Sequence, residues 1–322
     1  MKIIRLLSAT LVILLAFTAC SGGVERTDAQ SYIARSTPAV QIASTSPAAS
    51  QTSGTSSGVT ILESGFRKDL AVAKGTAWID VSSVADGYVA VAAVSDKRLK
   101  FQVICGQITY NYDMKNDGTP SVFPLQSGNG EYRFRVMKNT TEKKYAEIHS
   151  VTCKVTLKDQ FQPFLRPSAY VNYNRDSKCI AKAAELTKNC KTDLEKIKVI
   201  YDFVCKTVKY DHQKAKTVQS GYLPTPDETM GTGKGICFDY ASLAASMLRS
   251  QGIPTKVIFG YVSPNGLYHA WNMFYTKESG WVTVSYQLNP QNWTRMDLTF
   301  SANGADGNFI GDGGNYKDVY MY

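Results

Sequence analysis

The chain of 322 residues is short of histidine, with only His149, His212 and His269. No group of His, Cys, Asp and Glu has metal-ligand spacing, so neither a metal nor another cofactor is expected. Membrane-spanning apolar runs are missing too. The stretch Leu6 to Ala19 would make a helix of about 21 Å, short of the roughly 30 Å hydrocarbon core of a bilayer. Seven cysteines are too few for a disulfide-built scaffold of this length. The formal net charge is +9, yet basic residues never run to five in succession, which argues for a solvated surface and against a nucleic-acid partner. What is present, 43% apolar and 20% charged residues, is an ordinary globular mixture with room for two domains.

The N-terminus reads as an address. Lys2 and Arg5 precede the apolar run, as in a secretory signal peptide spanning residues 1–19. The run ends in Phe17-Thr-Ala-Cys20, which resembles the bacterial lipobox, whose cysteine carries the lipid after cleavage. That resemblance implies lipidation of Cys20 and a chain held at the cell membrane on its extracytoplasmic side. Residues 20–58 are rich in Ser, Thr, Ala and Gly and read as a flexible tether of roughly 35 Å.

Two textures follow. Residues 59–160 alternate in short runs, as in Leu99-Lys-Phe-Gln-Val-Ile104 and Tyr132-Arg-Phe-Arg-Val-Met137, with Gly, Asn and Asp between them. Period-two alternation with this punctuation predicts an all-β sandwich. Its one histidine, His149, has no evident partner, and a Cys105–Cys153 disulfide across the sandwich is an open option. Beyond a proline-bearing extended linker at Phe161–Pro167, residues 161–322 turn helical. Helices are expected at 177–188 and from an N-cap at Asp193 to Val208, with Leu194, Ile197, Tyr201, Val204 and Val208 as its apolar stripe.

The chemistry concentrates after Gly233-Lys-Gly-Ile-Cys237. Glycines lead into a helix that begins at or near Cys237, buries Ala241, Ala244 and Leu248 on the same face, and stops at Gly252 with Pro254 beyond. A cysteine in the positive end of a helix, beside free N–H groups, is favoured as thiolate, and those groups can hold an oxyanion. The spacing Gly231-Thr-Gly-Lys-Gly235 is not that of a phosphate loop. A strand at Thr255–Val262, a turn at Ser263–Gly266 and a returning strand at Leu267–Tyr275 carry His269 and Trp271 on one face. His269 is the candidate proton carrier, and His212, in a loop beside Asp211, competes less well.

The order Gly-x-Cys237, helix, Arg249-x-x-Gly-Ile-Pro254, His269-Ala-Trp271 resembles the transglutaminase-like superfamily over roughly residues 190–300. The resemblance implies an α+β chain in which a papain-like transglutaminase core follows the sandwich. It also implies a Cys-His-Asp triad, whose acid lies on the strand after the histidine. Counting from Trp281 puts Ser285 at that position; counting from Trp293 puts Asp297 there, with Thr299 two residues on. Asp297 is chosen because it restores a carboxylate, and Glu278 is too close to the hairpin end. A second oxyanion donor is expected upstream of Cys237, with Gln219, Tyr210 and Tyr222 as candidates. The expected activity is a thioester acyl-enzyme formed from a protein, peptide or cell-wall peptide, resolved by water or by an amine, with hydrolysis the favoured outcome. The alternative is a non-catalytic surface-anchored protein that binds through its sandwich.

Overall fold

The computed structural model describes residues 55–56, 59–262, 266–277, 280–283 and 316–322. The calls on Cys20, Ser285 and Asp297, and on nearly all of the signal and tether, lie outside them. A two-residue hairpin, β1 (Thr55–Ser56) with β2 (Val59–Thr60), opens the described part. Two four-stranded antiparallel sheets follow and face each other. One has the order β3 (Val72–Lys74), β4 (Ala77–Asp80), β5 (Tyr88–Ala93), β8 (Ser121–Pro124). The other has the order β10 (Tyr145–Val155), β9 (Gly130–Asn139), β6 (Leu99–Cys105), β7 (Ile108–Met114).

Alternation sets which side chains enter the sandwich. Leu99, Phe101 and Val103 are buried while Lys100 and Gln102 between them are half-exposed. Phe101 meets Phe123 of the opposite sheet with ring centroids 5.0 Å apart, and Phe134 stacks on it at 6.2 Å. The disulfide option fails on register. Cys105 and Cys153 both pair with Tyr132, from its two sides, so two strand spacings of about 4.8 Å separate them, beyond the roughly 7 Å limit between Cα atoms. All six described cysteines are free.

The extended linker is also corrected. Gln162–Phe164 form a short 3-10 turn with Pro163 and Phe164 buried. Pro163 approaches Gly87 so closely that a Cβ there would lie 2.7 Å from its nitrogen.

Helix α1 (Lys178–Thr187) takes its N-terminal cap from another helix: Asp227 of α4 (Pro226–Thr232) accepts the N–H groups of Lys178 and Cys179. In α2 (Asp193–Thr207) the cap is Thr192 and not Asp193. Its hydroxyl accepts Glu195 N–H, while the Glu195 carboxylate reaches back to Lys191 N–H. Ile197, Ile200, Val204 and Val208 are its buried stripe, with Leu194 and Tyr201 half-buried.

After α2 the chain forms β11 (Lys209–Tyr210), which pairs in parallel with β12 (Lys234–Gly235), the two residues just before the α5 N-cap. Between them lie α3 (His212–Thr217) and α4. Helix α5 (Cys237–Ser250) ends as its sequence predicts, with Gly252 in the left-handed region at φ 78°. It packs on an antiparallel sheet of order β15 (Gly280–Thr283), β14 (Leu267–Thr276), β13 (Thr255–Val262), β16 (Tyr316–Met321). One apolar core runs from the sandwich through α1 and α2 into this helix and sheet. Tyr112 of β7 packs edge-on against Tyr170 and Tyr322, and Tyr170 against Phe238 of α5.

Candidate active site

Cys237 is the first residue of α5 and is 8% exposed. Two glycines place it. Gly233 ends α4 in the left-handed region at φ 62°. Gly235 lets Asp239 fold back on the chain, since a Cβ at that position would stand 2.6 Å from the Asp239 Cβ. The glycines before the cysteine therefore serve the turn and this close approach.

Asp239 organises the first turn of α5. It is fully buried, and its carboxylate accepts the Ile236 N–H at 2.7 Å, the Tyr222 hydroxyl at 2.5 Å and the Lys214 ammonium at 2.8 Å. Ile236 has no side-chain acceptor to return the favour, so only half of a capping box exists. Within the turn, the N–H groups of Asp239 and Tyr240 go to the Ile236 carbonyl. Those of Cys237 and Phe238 are the two that a helix start leaves for a ligand. Lys214 also donates to the Tyr222 oxygen at 2.6 Å and lies over its ring at 4.4 Å. An anionic side chain two residues from Cys237 would compete with a thiolate for the positive end of the helix, and the Lys214 charge offsets it. Neither Asp239 nor Lys214 was expected; a carboxylate three residues after the N-cap was the available signal.

The sheet meets α5 through alternate residues of β14. Asn272 donates to the Ala241 carbonyl at 3.0 Å, one helical turn after Cys237, and Ala270 and Phe274 join the same core. Tyr268 belongs to this face and is close enough to Cys237 that a thiolate charge there adds to the pKa of its phenol. His269, buried at 4% exposure, alternates to the other face, where its ring stands 6.3 Å from that of Trp271. The structure thus brings Cys237 beside the strand of His269, while the imidazole stands on the Trp271 side of that strand. His212 starts α3, is exposed, and packs edge-on against Tyr210.

The expected oxyanion donors separate as well. Gln219 is exposed with its amide on the Thr217 carbonyl, and the Tyr222 hydroxyl is committed to Asp239. Arg249, quoted above only as part of a motif, is 2% exposed and donates to the carbonyls of Thr255 at 2.9 Å, Arg166 at 2.6 Å and Tyr322 at 3.5 Å. Burial brings its pKa down to about 10. It fastens the end of α5 to β13, to the residues following the 3-10 turn, and to the end of β16. Among the described residues no His, Cys, Asp and Glu cluster could hold a metal ion, and no helix is long and apolar enough to cross a membrane.

The family model for the transglutaminase-like superfamily matches residues 180–286, a stretch that includes Ser285 and ends before Asp297. UPF0252 protein MJ1282 of Methanocaldococcus jannaschii is 39% identical over 62 residues, 18% of this chain and 18% of its own. A protein-glutamine gamma-glutamyltransferase of Pseudomonas aeruginosa is 35% identical over 79 residues, 20% of this chain and 12% of its own. The matches therefore span less than a fifth of either relative. Among solved structures, a protein of Cytophaga hutchinsonii provisionally assigned as a cysteine protease aligns over 72% of this chain and 73% of its own, at 16% identity and a TM-score of 0.38. Red sea bream transglutaminase aligns over 78% and 57%, at 13% identity and a TM-score of 0.28. Residues 180–286, about a third of the chain, form a domain that matches the transglutaminase-like superfamily.

Proposed function

We propose that this protein is a cysteine acyl-transfer enzyme in which the Cys237 thiolate attacks a peptide or carboxamide carbonyl and forms a thioester. His269 delivers a proton to the leaving amine, and Asp297 orients the imidazole. Water then releases the acid, or an amine takes the acyl group. The proposal includes a lipid on Cys20 that holds the enzyme on the outer side of the membrane, facing protein or cell-wall peptide substrates. The observation that carries the reading is the position of Cys237 as first residue of α5, at the positive end of the helix.

A second reading, a non-catalytic surface protein, draws support from the placement of the His269 ring beside Trp271. Iodoacetamide labelling near pH 7, mapped by mass spectrometry, separates the two. An activated thiolate gives preferential alkylation of Cys237, slowed by His269→Ala. A Cys237 no faster than Cys153, whose thiol burial pushes up to about 11, would defeat the enzymatic reading.

A further inference from the structure

We propose that Tyr268 is a catalytic residue of the reaction described above, its hydroxyl donating a hydrogen bond to the oxyanion formed when Cys237 attacks a carbonyl. This rests on the acyl-transfer reading and supplies a donor where Gln219 and Tyr222 are engaged elsewhere. The Tyr268 hydroxyl is buried and has no acceptor among the described residues. A buried donor left without a partner costs folding energy, and such groups persist where a function uses them. Its position is fixed by packing. The ring stacks on Phe259 at 6.1 Å and meets Tyr261 edge-on at 5.3 Å, and Phe259 in turn meets Phe238, the residue after Cys237, at 4.9 Å. The Tyr322 hydroxyl is likewise buried without an acceptor, but it sits among Tyr112, Tyr170, Tyr268 and Tyr320.

The protonation state suits the role. Burial raises the Tyr268 pKa, and the neighbouring Tyr261, Tyr320 and Cys237 raise it further, so the phenol is an O–H donor across the working range of the thiolate. As the Cys237 sulfur bonds to the carbonyl carbon, the π pair moves to oxygen. That oxygen accepts from Tyr268 and from a backbone N–H of the α5 start. Collapse re-forms the C=O bond and expels the leaving group with its electron pair. Tyr268 donates a hydrogen bond throughout and loses no proton.

Two reagents isolate this step on the full chain. Alkylation by iodoacetamide passes through no oxyanion, whereas acylation by p-nitrophenyl acetate does. Both are read on Cys237 by mass spectrometry after acid quench. Tyr268→Phe keeps the ring and its packing. It should slow acylation about 100-fold, the usual effect of removing one oxyanion donor, while alkylation stays within about twofold. A reactive wild type whose acylation survives in Tyr268→Phe, or whose two rates fall in equal proportion, overturns this proposal alone. A wild-type Cys237 that resists both reagents overturns the acyl-transfer reading and this one with it. Tyr268→Leu checks the packing: a larger loss of stability than in Tyr268→Phe, with no further loss of acylation, fits a role confined to the hydroxyl.

Discussion

Replacing Asp239 by Asn tests how the start of α5 is held. The native carboxylate is fully buried and takes three donors, from Ile236, Tyr222 and Lys214. Breaking a buried ion pair costs about 3–5 kcal/mol when the remaining charge is trapped. Here the Lys214 side chain is 27% exposed and can turn to water, which reduces that figure. The Asn carbonyl also keeps one of the two neutral donors, and each hydrogen bond to an ionised group is worth about 1.5–3 kcal/mol. The expected loss is about 2–3 kcal/mol in unfolding free energy, read in urea as a lower midpoint with an unchanged slope. Lys214→Met and the double variant complete a cycle, with an expected coupling of about 1–2 kcal/mol between the two residues. Lys214→Met alone leaves the Asp239 charge unopposed beside Cys237, so iodoacetamide should label that thiol several-fold more slowly. An Asp239→Asn protein within about 0.5 kcal/mol of wild type, or a coupling of zero, would refute this account of the turn.

Two further perturbations bear on the frame around the site. Arg249→Lys replaces a planar fork by a single charged point that cannot serve the carbonyls of Thr255, Arg166 and Tyr322 together. A loss of about 2 kcal/mol or more is expected in urea unfolding, and a neutral substitution would show that α5 is anchored elsewhere. The pKa of His149 is lowered chiefly by burial, with Nε2 on the Val72 carbonyl at 2.8 Å. Below the unfolded-state value of about 6.5 the unfolded chain takes up a proton that the folded chain resists. Stability is therefore complete above that pH and declines as pH falls from there toward the depressed folded value. His149→Gln should flatten this decline, and parallel pH profiles for the two proteins would contradict it.

Legibility in the sequence followed the range of the interactions. Helix α5 was readable because its markers are local: the glycines before Cys237, the small residues on one face, Gly252 and Pro254 after it. The β6 and β9 runs were readable for the same reason. The cap of α2 was displaced by one residue because Thr192 and Asp193 are both able caps, and only the reach of Glu195 to Lys191 decides between them. The Cys105–Cys153 option needed the strand order, which no local pattern contains. So did the site itself. His269 and Tyr268 are neighbours on one strand, and which of them turns toward α5 depends on a register fixed by Asn272 and Ala241. The bond from Lys214 to Asp239 likewise joins two helices whose meeting is a tertiary fact.

The aromatic contacts that carry the core from Tyr112 through Tyr170 to Phe238 make the sandwich and helix α5 parts of one packed frame. Arg98 strengthens it at the surface, joining Asp113 of β7 to Ser220 in the segment before Tyr222. A hinge between the two would have to open a seam of interlocked rings. Whatever the sandwich surface touches is consequently presented at a set distance and angle from Cys237, as a jig presents a workpiece to a tool.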